Sequence, residues 1–354
     1  MKCIRAAAVG ALVFAPLAAM AQSNVTIYGR IAGGVDFMNK IALPGGGTGS
    51  TARYGSGQWG TSWWGIKSTE DLGGGMKAVV NLESAFATGT GSTGEYLFNR
   101  FAYVGLSSAD MGTVTLGRSM GLPDSEIGSL DPMEYQATSL GTLQNGRIWG
   151  SRTSAITYTS PQWGGFSLRA QMGLNGTAGN FNSGKQIGTS LTYQSGPLVL
   201  KGLYEEIRSS TGEFNSLYEA SKMYVAGGTY QIGDLKLSAG YVLTRSGSQT
   251  VATADNPTAS NKQQLVWIGG QYRISPALQL NTGLYRANRN NNGGNGTLLA
   301  VGADYYLSKR TMLYGTVGTV RNGGGAAFSV EAGSDRPLAG SSQQGLYTGI
   351  VHWF

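Results

Sequence analysis

Apolar and polar residues alternate along most of this chain with a period of two, which sends successive side chains to opposite faces of an extended strand. Phe166-Ser-Leu-Arg-Ala-Gln-Met172, Leu235-Lys-Leu-Ser-Ala-Gly-Tyr-Val-Leu243 and Leu278-Gln-Leu-Asn-Thr-Gly-Leu284 alternate throughout. Met76-Lys-Ala-Val-Val-Asn-Leu-Glu83 does so with one apolar residue on its polar face. The pattern predicts sixteen strands. Eight lie near 24–37, 61–70, 75–85, 98–108, 113–118, 152–160, 165–174 and 187–195, and eight near 198–206, 222–232, 235–245, 264–274, 278–286, 297–307, 311–320 and 345–354.

The connections alternate in length. Tight turns such as Asp71-Leu-Gly-Gly74, Ser195-Gly-Pro197, Ile232-Gly-Asp234 and Ser275-Pro-Ala277 follow every second strand, and long polar segments such as 38–60, 246–263 and 321–344 lie between them. Short turns at one rim and long loops at the other are what transmembrane barrels show. A soluble β-sandwich alternates too, with its apolar face turned inward. The even strand count, the regular long and short connections and the number of polar positions available to line a lumen favour an all-β, sixteen-stranded antiparallel transmembrane barrel. Such a barrel has no free sheet edge.

The first residues change the picture of where the chain goes. Lys2 and Arg5, an apolar run from Ala6 to Ala18 and then Ala19-Met20-Ala21 form a cleavable export signal over 1–21. The apolar run is short of the roughly 20 residues that a spanning helix needs. The mature chain, 22–354, then reads as one domain with no linker. Its formal net charge falls from +7 to +5 once Lys2 and Arg5 are removed, and no Lys/Arg blocks suggest nucleic acid. The only cysteine, Cys3, lies in the signal, so no disulfide framework is expected. Glycine (57 residues) far exceeds proline (9), and only 13% of residues are charged, a balance unlike disordered chains or helical enzymes.

Five segments carry a family resemblance: Asn24-Val-Thr-Ile-Tyr-Gly-Arg30, Trp64-Gly-Ile-Lys-Ser-Thr-Glu-Asp-Leu-Gly-Gly-Gly-Met-Lys-Ala78, Arg100-Phe-Ala-Tyr-Val-Gly-Leu106, Gly112-Thr-Val-Thr-Leu-Gly-Arg118 and Gly349-Ile-Val-His-Trp-Phe354. In this order and spacing the chain resembles the general porins of Gram-negative bacteria, most closely the beta-proteobacterial type. The resemblance implies an outer-membrane channel for small hydrophilic solutes and ions, usually a homotrimer in contact with membrane lipid and lipopolysaccharide, with no cofactor. It also implies that the third long loop folds into the lumen to narrow the pore, and that Phe354 serves as the terminal assembly signal.

Here 119–151 falls where that loop should be, and it carries Asp124, Glu126, Asp131 and Glu134. About half of these acids are expected to bond local backbone or the barrel wall instead of facing the pore, since Asp caps turns readily. Strand parity puts Arg30, Lys67, Arg169 and Gln171 inside. By matched motif, Arg100 and Arg152 are the best candidates for basic partners of the loop, with Arg118 and Arg147 as weaker ones; for each the alternative is a salt bridge that pins the loop to the wall, and for Arg118 the two readings are even. Relative to the family pattern, Arg30 stands where an aliphatic residue is usual, Ala32 where an acid is frequent, and Trp63 where a pore arginine is usual. Arg30 and Ala32 make the lumen more positive, and a net anion preference is expected.

Other functions are poorly supplied. His352 is the sole histidine, so Ser/His and Cys/His schemes have only that position to use, and no His/Cys cluster suits a transition metal. A carboxylate-based site among the loop acids is conceivable, but acids on a glycine-containing loop more often line a pore or face solvent. A substrate-specific anion channel and an adhesin or receptor acting through its external loops are the two alternatives left open.

Overall fold

A computed structural model describes residues 24–174, 177–331, 333 and 335–354; the proposed export signal, 1–21, and Cys3 lie outside them. One antiparallel sheet closes on itself. Its strands are β1 Asn24–Ala42, β2 Thr48–Gly55, β3 Ser62–Gly73, β4 Met76–Phe86, β5 Phe101–Ser108, β6 Gly112–Met120, β7 Ser151–Thr159, β8 Phe166–Gly173 and β9 Gln186–Ser195. They continue as β10 Leu198–Ile207, β11 Lys222–Ile232, β12 Leu235–Arg245, β13 Lys262–Ser275, β14 Leu278–Arg289, β15 Asn295–Tyr306, β16 Thr311–Gly323 and β17 Gln343–Trp353.

β2 does not add a seventeenth stave. The start of β1, Asn24 to Arg30, pairs with β3, whereas the far part, from Gly34 to Ala42, pairs with β2. β2 and β3 therefore share one place in the ring, and the barrel has sixteen. Sequence alternation leaves 38–60 as a plain connection because Thr48-Gly-Ser-Thr-Ala-Arg-Tyr-Gly55 is polar and glycine-rich; pairing with the long β1 makes it a strand. On its other side β1 pairs with β17, from Arg30↔Trp353 to Met38↔Gly345, and this closes the ring.

Outward positions are apolar and exposed: on β1, Val25, Ile27, Ile31, Val35 and Phe37. Ala32 and Asp36, one pleat away, are buried. Such a face is stable only against lipid or another apolar surface.

The interior is unevenly filled. Residues 121–150, between β6 and β7, carry Leu122, Ile127, Leu130, Met133, Leu140, Leu143 and Ile148, all buried against inward side chains that include Val242, Leu265, Trp267, Tyr285, Leu298 and Val320. This span is more than a plain loop: it holds the short helix α1, Leu122–Ile127, opened by Pro123 in its first turn, and two 3-10 turns at Gly128–Leu130 and Leu140–Gln144. The Trp267 indole N–H donates to the Leu130 carbonyl (3.0 Å), Gln263 Nε2 to the Leu143 carbonyl (2.7 Å) and the Thr316 hydroxyl to Gln136 (2.5 Å). The Ser238 hydroxyl also reaches the Leu130 carbonyl. The span therefore leans on β12–β16, whose inner wall is apolar there, and leaves space on the side of β1, β3 and β5.

Candidate functional site

That space is a cavity of about 650 Å³. Its wall side presents Arg30, Trp63 and Arg100, and the side of the inner span presents Asp124, Glu134 and Tyr135. Arg30 donates twice to the Thr61 carbonyl, from Nη2 (2.7 Å) and Nε (3.1 Å), and its guanidinium lies over the Trp59 ring at 5.4 Å. Lys67 places its ammonium over the Tyr28 ring at 4.8 Å. Among the described residues neither cation forms a salt bridge. Arg100 does: it pairs with Glu83, which also accepts the Tyr28 hydroxyl at 3.0 Å, while its guanidinium faces the Trp63 ring at 5.8 Å.

The four acids of the inner span have separate fates. Glu126 is paired with Arg169 (2.6 Å) and Lys201 (2.8 Å); burial works against its charge, but these two cations hold the carboxyl below its usual range. Asp131 is fully buried and closes a turn, accepting the backbone N–H groups of Met133 (3.1 Å), Tyr135 (3.2 Å) and Leu140 (3.4 Å) and the Tyr285 hydroxyl (2.5 Å). Burial still pushes its carboxyl up. Glu134 accepts the Gln271 amide at 2.6 Å and lines the cavity. Asp124 lines it as well; burial raises its carboxyl to about 6 against the pull of Arg100, Arg152 and Arg30.

The remaining arginines divide. Arg147, a candidate for the pore, is instead buried: it pairs with Glu205 (2.6 Å) and donates to Ser221 (3.0 Å), tying the end of the inner span to β10 and to Ser221, just before β11. Arg152 joins the same carboxylate at 3.1 Å. Simple alternation sets Arg152 on the outer face with Ile156. The register shifts between Gly117 and Ser119, where Ser154 takes a φ of 48°, and this bulge turns Arg152 inward. Arg118 is on the outside. It shares parity with the exposed Val114 and Leu116, donates to the Asn99 carbonyl (3.3 Å) and covers the Tyr96 ring at 4.9 Å. Parity alone carries that signal, and it contradicts a pore role for Arg118.

Sequence reasoning did not single out Glu83, Glu205 or Trp59. It also missed a charged knot at the long-loop rim, where Arg53 bonds Asp36 (2.9 Å), Asp335 (3.4 Å) and Glu331. Burial lifts the Glu331 carboxyl to about 7, with Asp36 adding to the rise and Arg53 opposing it. Glu331 also lines the cavity. These partners are scattered through the chain, so spacing could not bring them together.

Comparison with known proteins places this architecture. Residues 6–325 match the family model described as Gram-negative porin. The chain is similar to outer membrane porin protein 32 of Delftia acidovorans, 29% identical with 95% of this chain and 96% of that one covered. It is also similar to the major outer membrane protein P.IB of Neisseria lactamica, 27% identical over 92% and 96%. Among solved structures, the anion-selective porin from Comamonas acidovorans superposes with a TM-score of 0.80 at 23% identity, covering 94% of this chain and all of that one. OmpT of Vibrio cholerae follows with 0.69 at 16%, covering 94% and 98%. The structural likenesses show the fold, a closed sixteen-stranded barrel. With its sequence matched from residue 6 to residue 325, the chain belongs to the Gram-negative porins and forms a channel through the outer membrane.

Proposed function

We propose that the cavity between Arg30 and Arg100 on the wall and residues 121–150 opposite is the narrowest passage, and that it favours anions. The supporting observation is an imbalance of partners. Arg30 and Lys67 carry their charge without a carboxylate partner among the described residues, whereas Glu126, Asp131, Glu83 and Glu205 are each taken up by bonded donors. Asp124, Glu134 and Glu331 oppose them on the cavity lining, the last of these bonded to Arg53. In a protein-walled passage such fixed charges act through a lower effective dielectric than on an open surface. Guanidinium groups keep their charge at any working pH.

The structurally similar porin from Comamonas acidovorans is anion-selective, which accords with this reading. The mature unit is 22–354, exported by the segment 1–21, and it assembles as a homotrimer, in line with the trimer form of Vibrio cholerae OmpT. A narrower function, recognition of a particular oxyanion, is favoured by two guanidinium groups, Arg30 and Arg100, on the same cavity. The test is the reversal potential of purified protein in a planar bilayer under a KCl gradient, followed by a panel of anions. A potential of the sign given by cation selectivity overturns the proposal. Block by one anion at concentrations where its neighbours pass freely identifies the narrower function.

A further inference from the structure

The cavity that holds Arg30 and Arg100 is aromatic as well as charged. On the wall side Trp63 stands edge-on to Tyr28, at 5.2 Å between ring centroids. On the side of the inner span Tyr135 and Trp149 form a second edge-to-face pair, at 6.4 Å and an interplanar angle of 80°. Both of these rings pack on the buried cluster that seats residues 121–150 and still line the cavity.

Their positions are fixed by the backbone around them. Glu134 and Tyr135 hold left-handed conformations, with φ of 53° and 58°, which a bulky residue adopts only where its surroundings impose it. Here Asp131 accepts the Tyr135 N–H at 3.2 Å. The Tyr135 hydroxyl donates to the Pro123 carbonyl at 3.1 Å, so this residue offers the cavity a ring and not a hydroxyl. Two glycines lie against the pair: a Cβ on Gly128 would stand 3.0 Å from the Tyr135 ring, and one on Gly141 would collide with the Trp149 indole. The guanidinium groups beside Trp63 keep donors in reserve. Arg30 spends Nε and Nη2 on one carbonyl and Arg100 spends Nε on Glu83. Among the described residues no acceptor is hydrogen-bonded to Nη1 of Arg30 or to either Nη of Arg100.

Resting on the anion reading of this passage, we infer that its preferred solutes are planar aromatic carboxylates, the carboxylate meeting Arg30 and Arg100 and the ring lying against Trp63 and the Tyr135–Trp149 pair. Guanidinium groups bind carboxylates by paired, charge-assisted hydrogen bonds, and aromatic rings gain energy on one another beyond the area they bury. An aliphatic acid would use the arginines alone, and a neutral aromatic the rings alone. Asp124 and Glu134 repel the anionic end from the inner span, which turns the carboxylate to the wall and the ring towards Tyr135 and Trp149.

The test is block of the chloride current of the purified full protein in planar bilayers by benzoate and by cyclohexanecarboxylate, which share carbon count and charge. The saturated acid is the more hydrophobic, so general apolar adsorption favours it. The wild type should be half-blocked by benzoate at a concentration about three- to tenfold lower. Trp63→Leu and Trp149→Leu should lose this preference and Trp63→Phe should keep it, while Arg30→Ala should weaken block by both acids alike. A variant that opens as a channel is folded; should Trp149→Leu not fold, Trp63→Leu reads the same ratio. Equal block of the wild type by the two acids, an undiminished preference in the leucine variants, or block by benzyl alcohol at the concentrations where benzoate acts overturns the inference. Because the ratio compares two anions of one charge, it is independent of the reversal potential in a KCl gradient: equal block beside an anion-selective potential overturns this inference and leaves the anion reading standing, whereas a benzoate preference beside a cation-selective potential overturns the anion reading.

Discussion

Arg147 and Glu205 form an ion pair with no exposed surface on either side chain, Nη1 standing 2.6 Å from Oε2. Arg152 and the Gln186 amide also bond this carboxylate, both at 3.1 Å, so one acid serves a buried cation and a partly buried one and fastens residues 121–150 where they return to the wall. Removing one partner of a buried pair costs about 3–5 kcal/mol because the other charge is stranded. Glu205→Gln should therefore destabilise the barrel by that order in denaturant unfolding and make single-channel current noisier. A Glu205→Gln protein with wild-type stability and quiet current refutes this role.

Arg30→Ala tests the passage. A unit charge about 7 Å from a permeant ion is worth roughly 2 kcal/mol at an effective dielectric near 20, before mobile ions screen it. Screening cuts this to about 1 kcal/mol, so the anion-to-cation permeability ratio should drop by about two- to tenfold. Reversal potentials in a KCl gradient measure it, and an unchanged ratio means that Arg30 does not face the path of ions.

Trp63→Arg should move selectivity the other way. Trp63 sits edge-on to Tyr28, at 5.2 Å between ring centroids, and beneath Arg100. An arginine there adds a cation to the wall and removes an indole, so both anion preference and conductance should increase. A lower conductance would show that the added guanidinium is taken up by Glu83 and closes the gap.

The pH dependence follows from Asp124 and Glu331, both on the cavity lining and raised by burial to about 6 and about 7. Both are charged at pH 8 and mostly neutral at pH 5. Acidification through this window removes two negative charges, so anion preference should rise as pH falls. Stability has the same sign: the folded barrel binds these protons at a pH where the unfolded chain does not, so the two groups favour folding increasingly as pH drops from about 7 towards 4. Selectivity that shifts towards cations on acidification contradicts the placement of these acids.

Much of the barrel was legible because alternation is local. A strand such as Leu278–Arg289 declares both its faces within its own residues. The interior was less so. Asp131 could be read as an acid on a loop, but its role depends on Tyr285, far along the chain, and on a turn that alternation does not describe. Arg152 required the bulge at Ser154, and Arg147 required Glu205, which shares its face with the buried Leu203 and so offers no polar alternation. The face of Arg118 is legible locally, since the exposed Val114 and Leu116 share its parity.

The seam between β1 and β17 has a consequence for the order of folding. The other junctions join strands close together in the chain, most of them consecutive, so they can form with much less loop entropy to overcome. The seam joins residues such as Asn39 and Gln344, 305 positions apart, and seats the Phe354 ring against Gly29, where a Cβ would meet it at 2.5 Å. Growth by hairpins can proceed stepwise, but it leaves two unpaired edges until this junction forms. Closure is thus a single late event of high contact order, and a substitution at Gly29 should slow assembly more than it weakens the finished ring.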